Sequence, residues 1–436
     1  MAGVWRHAAT GRAGTWRRRV PAWPLLACAL AVHAACAAPA PEALQVLHWW
    51  TSASERNAVD VLAARLAREG IAWSDGAVPG GAGLAAGKVL KSRVLAGSAP
   101  DVTQIIGPAI GEWAELGLLL ELDAPAAAGN WDKVMFPTVW NLVRERGHTV
   151  AAPLGIHRIN TVLVNRKLFA HLGLVPPATW ADLEALAPKL RAAGIAPFVQ
   201  SSEAWQVAAL FENLVLSVGG ADFYRDVFVR QSAGAATDPR LFAALMRLRQ
   251  MKSWMAPVQE QPWTDVARRF ARGEGAMLVM GDWAKAELNT MGFGVDDDFA
   301  CVPTAGTGAL HLYSIDTLAM FANDYARSPA QEKLARLVMT PQAQQQYNAA
   351  KGSVPVRRDA STAGMDSCAR ASWTAFARGA AVQVPSLVHR MATAEESRDV
   401  IIAEVRRYFV DDTVPAAQVQ QRLATVFRTL TSRLNR

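Results

Sequence analysis

The chain has 436 residues, 51% hydrophobic and 19% charged, with 31 glycines and 23 prolines. That balance excludes a disordered or collagen-like polypeptide and allows two or three domains with a large buried core. The formal charge of +7 is concentrated at the start, where Arg6, Arg12, Arg17, Arg18 and Arg19 precede the first acid, Glu42; without those five arginines the body carries +2. A near-neutral body argues against a nucleic-acid partner.

Residues 1–40 read as a secretion signal: Arg17-Arg18-Arg19, an apolar stretch from Trp23 to Ala35, then small residues through Ala40. Cleavage near Ala38 is expected, with a lipoprotein box at Leu25-Leu26-Ala27-Cys28 and a twin-arginine route through Arg18-Arg19 as alternatives. The apolar part is too short to span a bilayer, and no later run reaches the roughly 18 uncharged apolar residues a membrane helix needs. An exported, periplasmic protein follows. Cys28 and Cys36 fall in the signal, leaving Cys301 and Cys368. In an oxidising compartment that pair predicts a disulfide, with two separate buried thiols as the alternative.

The elements then follow in order. Residues 44–50 are strand-like, and Ser52 and Ser54 offer caps for a helix carrying Val59, Leu62 and Leu66 at helical spacing, stopped by Gly70. Further strands are expected over 102–106, 161–165 and 276–280, and helices over 181–193 and 241–251. The alternation predicts an α/β protein with parallel sheets covered on both faces. Without a repeat, linker or long charge run, two lobes would be interwoven, the chain crossing near residues 152–155, 303–308 and 353–355.

Ligands of open α/β sheets gather beyond the carboxyl ends of strands. Trp49-Trp50 and Asp282-Trp283 both follow strands in this way, and 12 tryptophans and five tyrosines lie beyond residue 40. Indole planes cover the C–H faces of sugars while carboxylates, Lys, His and Asn satisfy the hydroxyls. Core burial is the competing reading for Trp49 and Trp50, although adjacent strand residues face opposite ways. Gly81-Ala82-Gly83 with Ala86 fits only a relaxed dinucleotide fingerprint, and Gly87-Lys88 lacks the Ser or Thr of a phosphate loop, so a surface loop and helix entry is expected there. No cofactor or metal is expected: there is no H-E-x-x-H, and the eight histidines include no i, i+4 pair. No G-x-S-x-G occurs, but a glycosidase needs only two carboxylates, and Glu55, Asp282 and Asp316 keep that alternative open.

Eight blocks share their order with one family: His48-Trp49-Trp50-Thr51-Ser52 with Glu55, Leu90-Lys91-Ser92-Arg93, Gly107-Pro108-Ala109-Ile110, His157-Arg158-Ile159-Asn160, Gly219-Gly220-Ala221-Asp222-Phe223-Tyr224, Met280-Gly281-Asp282-Trp283-Ala284-Lys285, Cys301-Val302-Pro303-Thr304 and Lys351-Gly352-Ser353-Val354-Pro355-Val356-Arg357. Together they resemble the periplasmic glucose/mannose-binding proteins of bacterial ABC sugar importers, over nearly the whole chain after the signal. The resemblance implies the two-lobed periplasmic-binding-protein fold, with a hinge. On that reading residues 41–152 and 309–352 form the N-terminal lobe, and 153–308 and 353–436 the C-terminal lobe. It further implies a monomer, not an enzyme, that closes on a monosaccharide and delivers it to a membrane permease. A sensor reporting to a membrane receptor is a further alternative. Residue by residue it implies sugar contacts from Trp49, Trp50, Glu55 and Gln104 on one lobe and Trp283 and His389 on the other, with Lys351 and Asp316 near the hinge and His157 in the cleft. Two positions depart from the pattern: Ile106 stands where the glucose binders carry a sugar-contacting lysine, and Ser314 where they carry asparagine. Losing a charge-assisted donor costs about 1.5 to 3 kcal/mol, which points away from glucose toward another hexose, a larger saccharide or a non-sugar.

Overall fold

The computed structural model describes residues 42–434, so the signal expected over residues 1–40 lies outside the described residues. Its strands are β1 (Glu42–His48), β2 (Ile71–Ala77), β3 (Val102–Gln104), β4 (Arg144–Glu145), β5 (His148–Thr149), β6 (Ala152–Arg158), β7 (Thr161–Asn165), β8 (Met277–Val279), β9 (Phe299–Pro303), β10 (His311–Met320) and β11 (Gln383–Pro385). One sheet has the order β11-β10-β3-β1-β2, with β6 also paired to β10; a second has the order β8-β7-β9, and β4 and β5 form a hairpin.

The pairing corrects the expectation of parallel sheets. β1 runs parallel to β2 and β3, but β10 is antiparallel to both β3 and β6, and β7 is antiparallel to β8 and β9. A crossover helix on one sheet returns the chain parallel, whereas a strand that arrives from elsewhere in the molecule is free of that constraint.

The chain buries two separate apolar cores. The first collects Leu44, Leu62, Val102, Ile156, Ile315, Leu318 and Tyr347; the second collects Ile159, Leu163, Phe211, Leu278, Leu312, Val388 and Phe427. β6 and β10 therefore carry the chain between cores side by side, with Ser314 opposite His157, Asp316 opposite Gly155, and a bulge between Asp316 and Thr317. The expected crossing near 152–155 falls on β6, while that near 303–308 lies a few residues later, inside β10. The third is displaced further: Val354, Val356, Ala369 and Phe376 bury in the first core and Val384 in the second, so the chain crosses between Phe376 and Val384 rather than near 353–355. Backbone pairing explains this displacement, because Ile156 and Val354 exchange hydrogen bonds that hold residue 354 against β6.

Local signals read from the sequence reappear in the helices. The first helix, Ala53–Arg68, is capped by Ser52 in a capping box with Glu55, and Gly70 follows its end with φ of +79°. The stretches expected over 181–193 and 241–251 correspond to the helices Trp180–Ala192, which ends one residue earlier, and Pro239–Ser253. The helix Ala204–Phe228 is long and apolar enough to cross a membrane, but it is largely buried in the second core and changes direction at Gly220, where φ is +71°. Cys301 and Cys368 form the predicted disulfide, joining β9 to the helix Ser367–Phe376 across a Cα separation of 5.4 Å.

Candidate functional site

A cleft of about 390 Å³ is lined by residues drawn from both cores. From the first come Trp49 and Trp50, which leave the carboxyl end of β1, and Glu55 in the first turn of the helix they lead into. From the second comes Trp283, which opens the helix Trp283–Thr290 just after β8, together with His389 in the turn after β11. The crossing strands supply His157 on β6 with Ser314 and Asp316 on β10; residues two apart on a strand share a face, and Ser314 is also the partner of His157. Lys351 is the last residue of the helix Pro341–Lys351, which Gly352 ends at φ +88°. At that glycine a Cβ would come within 2.6 Å of the Asp282 carbonyl, so the helix end can approach Trp283 only without a side chain there.

The polar groups form two sets of opposite charges, a pair and a trio with one carboxylate in excess. Lys351 Nζ lies 3.3 Å from Glu55 Oε1, and Glu55 Oε2 accepts from the backbone N–H groups of Thr51 and Ser52 at 3.0 and 3.1 Å. His157 bridges two carboxylates, Nδ1 to Asp282 at 2.5 Å and Nε2 to Asp316 at 3.3 Å. Both ring nitrogens can donate only in the imidazolium. Burial disfavours that charge, but the Asp282 carboxylate outweighs it with help from Asp316, and the His157 pKa is raised. For Asp316, burial pushes upward while the hydrogen bond and charge of His157, the Lys351 charge and the Gln104 amide prevail, leaving the carboxyl below its ordinary range. His389 goes the other way: burial, then the His157 and Arg398 charges, push its pKa down to about 3, so it presents a neutral ring.

The aromatic groups cluster about Trp283. Its ring centroid lies 4.9 Å from His389, 5.5 Å from His157 and 6.4 Å from Trp205. Trp205 and Trp50 each carry an indole Nε1 that is buried without a hydrogen-bond partner among the described residues, although both side chains border the cleft. Buried donors are nearly always paired, so two orphaned N–H groups at one cavity suit an occupant rich in acceptors.

Eight of the nine residues expected to contact a ligand line this cleft: Trp49, Trp50, Glu55, His157, Trp283, Asp316, Lys351 and His389. Gln104 does not. It is buried behind Asp316, its Nε2 donating to Asp316 Oδ1 at 3.0 Å while its Oε1 accepts from the Trp49 N–H at 3.4 Å, so it orients two lining residues. Trp50 borders the cleft yet is 1% exposed, stacked on His48 at 5.1 Å in the first core. Both departures, Ile106 and Ser314, lie in the lining. Sequence reasoning missed Trp205, Trp263 and Glu203, which complete the wall. Trp205 sits in a helix apolar on every side, where an indole reads as core. The available signal was the glycine loop: a Cβ on Gly81 would overlap the Trp205 indole, and one on Gly83 would come within 2.8 Å of Trp49, so these glycines seat tryptophans rather than phosphates.

Comparison with known proteins agrees with this architecture. Residues 40–345 match the family model for bacterial extracellular solute-binding proteins. A probable sugar-binding periplasmic protein of Rhizobium meliloti (strain 1021) is 36% identical over 338 residues, covering 77% of this chain and 81% of the relative. Another of the same description, from Brucella melitensis biotype 1, is 33% identical over 388 residues, covering 88% and 92%. Among solved structures, the solute receptor AcbH, described as exclusive for β-D-galactopyranose, superposes with a TM-score of 0.77 at 15% identity over 89% of this chain and 99% of that one. A chitin oligosaccharide binding protein gives a TM-score of 0.74 at 18% identity over 89% and 98%. These relatives are solute-binding proteins and not enzymes. The chain therefore belongs to the bacterial extracellular solute-binding protein family, with the two-lobed fold of its periplasmic sugar-binding neighbours.

Proposed function

We propose that the protein works in the periplasm as the sugar receptor of an ABC importer, capturing a monosaccharide in the cleft and presenting it, unaltered and as a monomer, to the membrane permease. Residues 1–40 serve as its export signal. One observation carries the reading: indole and imidazole rings from both cores meet in a single cavity beside the Glu55–Lys351 and Asp282–His157–Asp316 sets. Trp283 and Trp49 cover the apolar face of the sugar ring, Glu55, Lys351, His157 and Asp316 take its hydroxyls in donor and acceptor pairs, and the Nε1 groups of Trp50 and Trp205 find acceptors on it. Since a ligand shifts an equilibrium only by its differential affinity, a sugar that touches both lobes favours the closed form. The relatives named as sugar-binding periplasmic proteins support the same ligand class.

The cleft favours a hexose other than glucose. Ile106 puts hydrocarbon where the resemblance expects a lysine, and Ser314 is a shorter donor than asparagine. A glycosidase is disfavoured by the carboxylates themselves. Of the three carboxylates the sequence offers for that role, Asp316 is held below its ordinary range by His157, and Asp282 and Glu55 are engaged by His157 and Lys351; Glu203 in the wall, its pKa raised by burial, has no second free carboxylate among these three to pair with.

A thermal-shift panel of hexoses, pentoses and disaccharides tests the reading. A ligand at 100 times its dissociation constant adds about 2.7 kcal/mol of stability and a clear rise in Tm. For the sugar that scores, Trp283→Ala is expected to abolish quenching of tryptophan fluorescence with an unchanged circular-dichroism spectrum. A panel without a hit, or full quenching in Trp283→Ala, rejects the assignment.

A further inference from the structure

His157 and Arg158 are neighbours on β6 and face opposite ways, as strand geometry requires. His157 lines the cleft, and Arg158 lines a second cavity of about 540 Å³ on the other side of the crossing strands. One wall of this cavity is β9 and the other the helix Ser367–Phe376, with the Cys301–Cys368 bridge between them.

The charges around it do not balance. Arg158 is 7% exposed, and its guanidinium forms no ion pair; Nε donates to Asn160 Oδ1 at 3.3 Å and Nη2 to the Leu310 carbonyl at 3.0 Å, while Nη1 has no partner among the described residues. Arg370 and Arg378 line the same cavity and bond only to the carbonyls of Met365 and Ala309. The one acid in the lining, Asp282, is already engaged: Oδ1 meets the His157 ring and Oδ2 accepts from the backbone N–H of Arg158 at 2.9 Å. Three guanidinium groups thus share a cavity with one carboxylate that is already hydrogen-bonded elsewhere, and one of the three is buried, where a charge compensated only in part is costly. The strain registers on the titratable groups. Burial pushes the Arg158 pKa down to about 10, the Asp282 charge opposing and the Arg378 charge adding to it, and burial followed by the Arg158 and Arg378 charges pushes His311 well below its ordinary value.

We propose that this rear cavity is a binding site for a small oxyanion, a carboxylate or a phosphate, held by Arg158, Arg370 and Arg378. The planar fork of each guanidinium matches two oxygens of such a group, and the buried arginine supplies the fixed point while the two exposed ones close over the ligand. The site does not depend on which solute occupies the cleft.

Isothermal titration of the full protein with inorganic phosphate, and separately with citrate, at fixed ionic strength tests the proposal. Saturable binding of one equivalent of either anion is expected, weakened about tenfold or more in Arg378→Gln and in Arg370→Gln. Arg191→Gln, on the exposed side of the helix Trp180–Ala192, is expected to bind as the wild type does. Binding of only one of the two anions names the oxyanion and supports the site. No saturable binding of either below 20 mM, on the order of the weakest specific affinities, overturns it, as does binding that both cavity substitutions leave unchanged or that Arg191→Gln weakens equally.

Discussion

Gly81 holds the Trp205 indole against the loop that follows β2, and an added Cβ would occupy the space of that ring. Gly81→Ala is therefore expected to displace Trp205, weakening sugar binding as titration calorimetry measures it, and to cost about 1 to 3 kcal/mol of stability from overpacking, read by urea denaturation. Trp50 behaves differently. At 1% exposure within the first core, Trp50→Ala should cost about 3 to 5 kcal/mol of stability, seen in urea denaturation, so its effect on binding is inseparable from its effect on folding. Beneath His389 lies Glu212, fully buried, accepting from the Tyr224 hydroxyl at 2.7 Å, the Leu387 N–H at 2.8 Å and the Ser386 hydroxyl at 2.9 Å. Burial outweighs those bonds and raises its pKa from 4.5 to about 7. A folded pKa above the unfolded one gives stability that is complete below pH 4.5 and is lost as pH rises to about 7, a total of about 3 kcal/mol. Denaturation at pH 5 and pH 7 should show this decline in the wild type and a flatter profile in Glu212→Gln.

At the scale of elements, the disulfide anchors the helix Ser367–Phe376, which sends Ala369 and Phe376 into the first core, to β9 beside the second. Closing a loop of 67 residues stabilises by about 4 kcal/mol in the chain-entropy model, so the Cys301→Ser, Cys368→Ser double variant should lose that amount in urea denaturation. The pair was legible from compartment and counting alone. Caps were legible too, because Ser52 and Glu55 act over three residues: the box that starts the first helix is written in local spacing. Strand direction was not. β10 looks like any apolar run, and nothing in its residues says that it enters from the other lobe and pairs antiparallel with β3 and β6.

For the molecule as a whole, the two cores are joined by hydrogen bonds across the cleft as well as by the chain. Ser54 donates its N–H and hydroxyl to Glu287 at 3.0 and 2.9 Å; one lies on the first helix and the other on the helix that begins at Trp283. Under the proposed closing mechanism, Glu287→Ala removes a charge-assisted pair worth about 1.5 to 3 kcal/mol, which should shift the population toward the open form and weaken sugar binding by one to two decades. Small-angle scattering should record a larger radius of gyration without sugar, recovered at saturation; an unchanged radius and affinity would assign the pair to local packing instead.

The sequence by itself determined the α/β class, the disulfide, the helix caps and eight of the residues that meet in the cleft, because each rests on short-range spacing, on composition or on ordered motifs. Tertiary structure alone decided what those residues do to one another. Glu55 meets Lys351 across 296 positions, and Asp282 meets His157 across 125, so their charges are matched only once the cores are packed. Gln104 recedes behind Asp316, Trp50 sinks into the core and Trp205 emerges at the wall for the same reason: which face of an element is covered depends on its neighbours, and the neighbours are set by how the chain crosses between lobes.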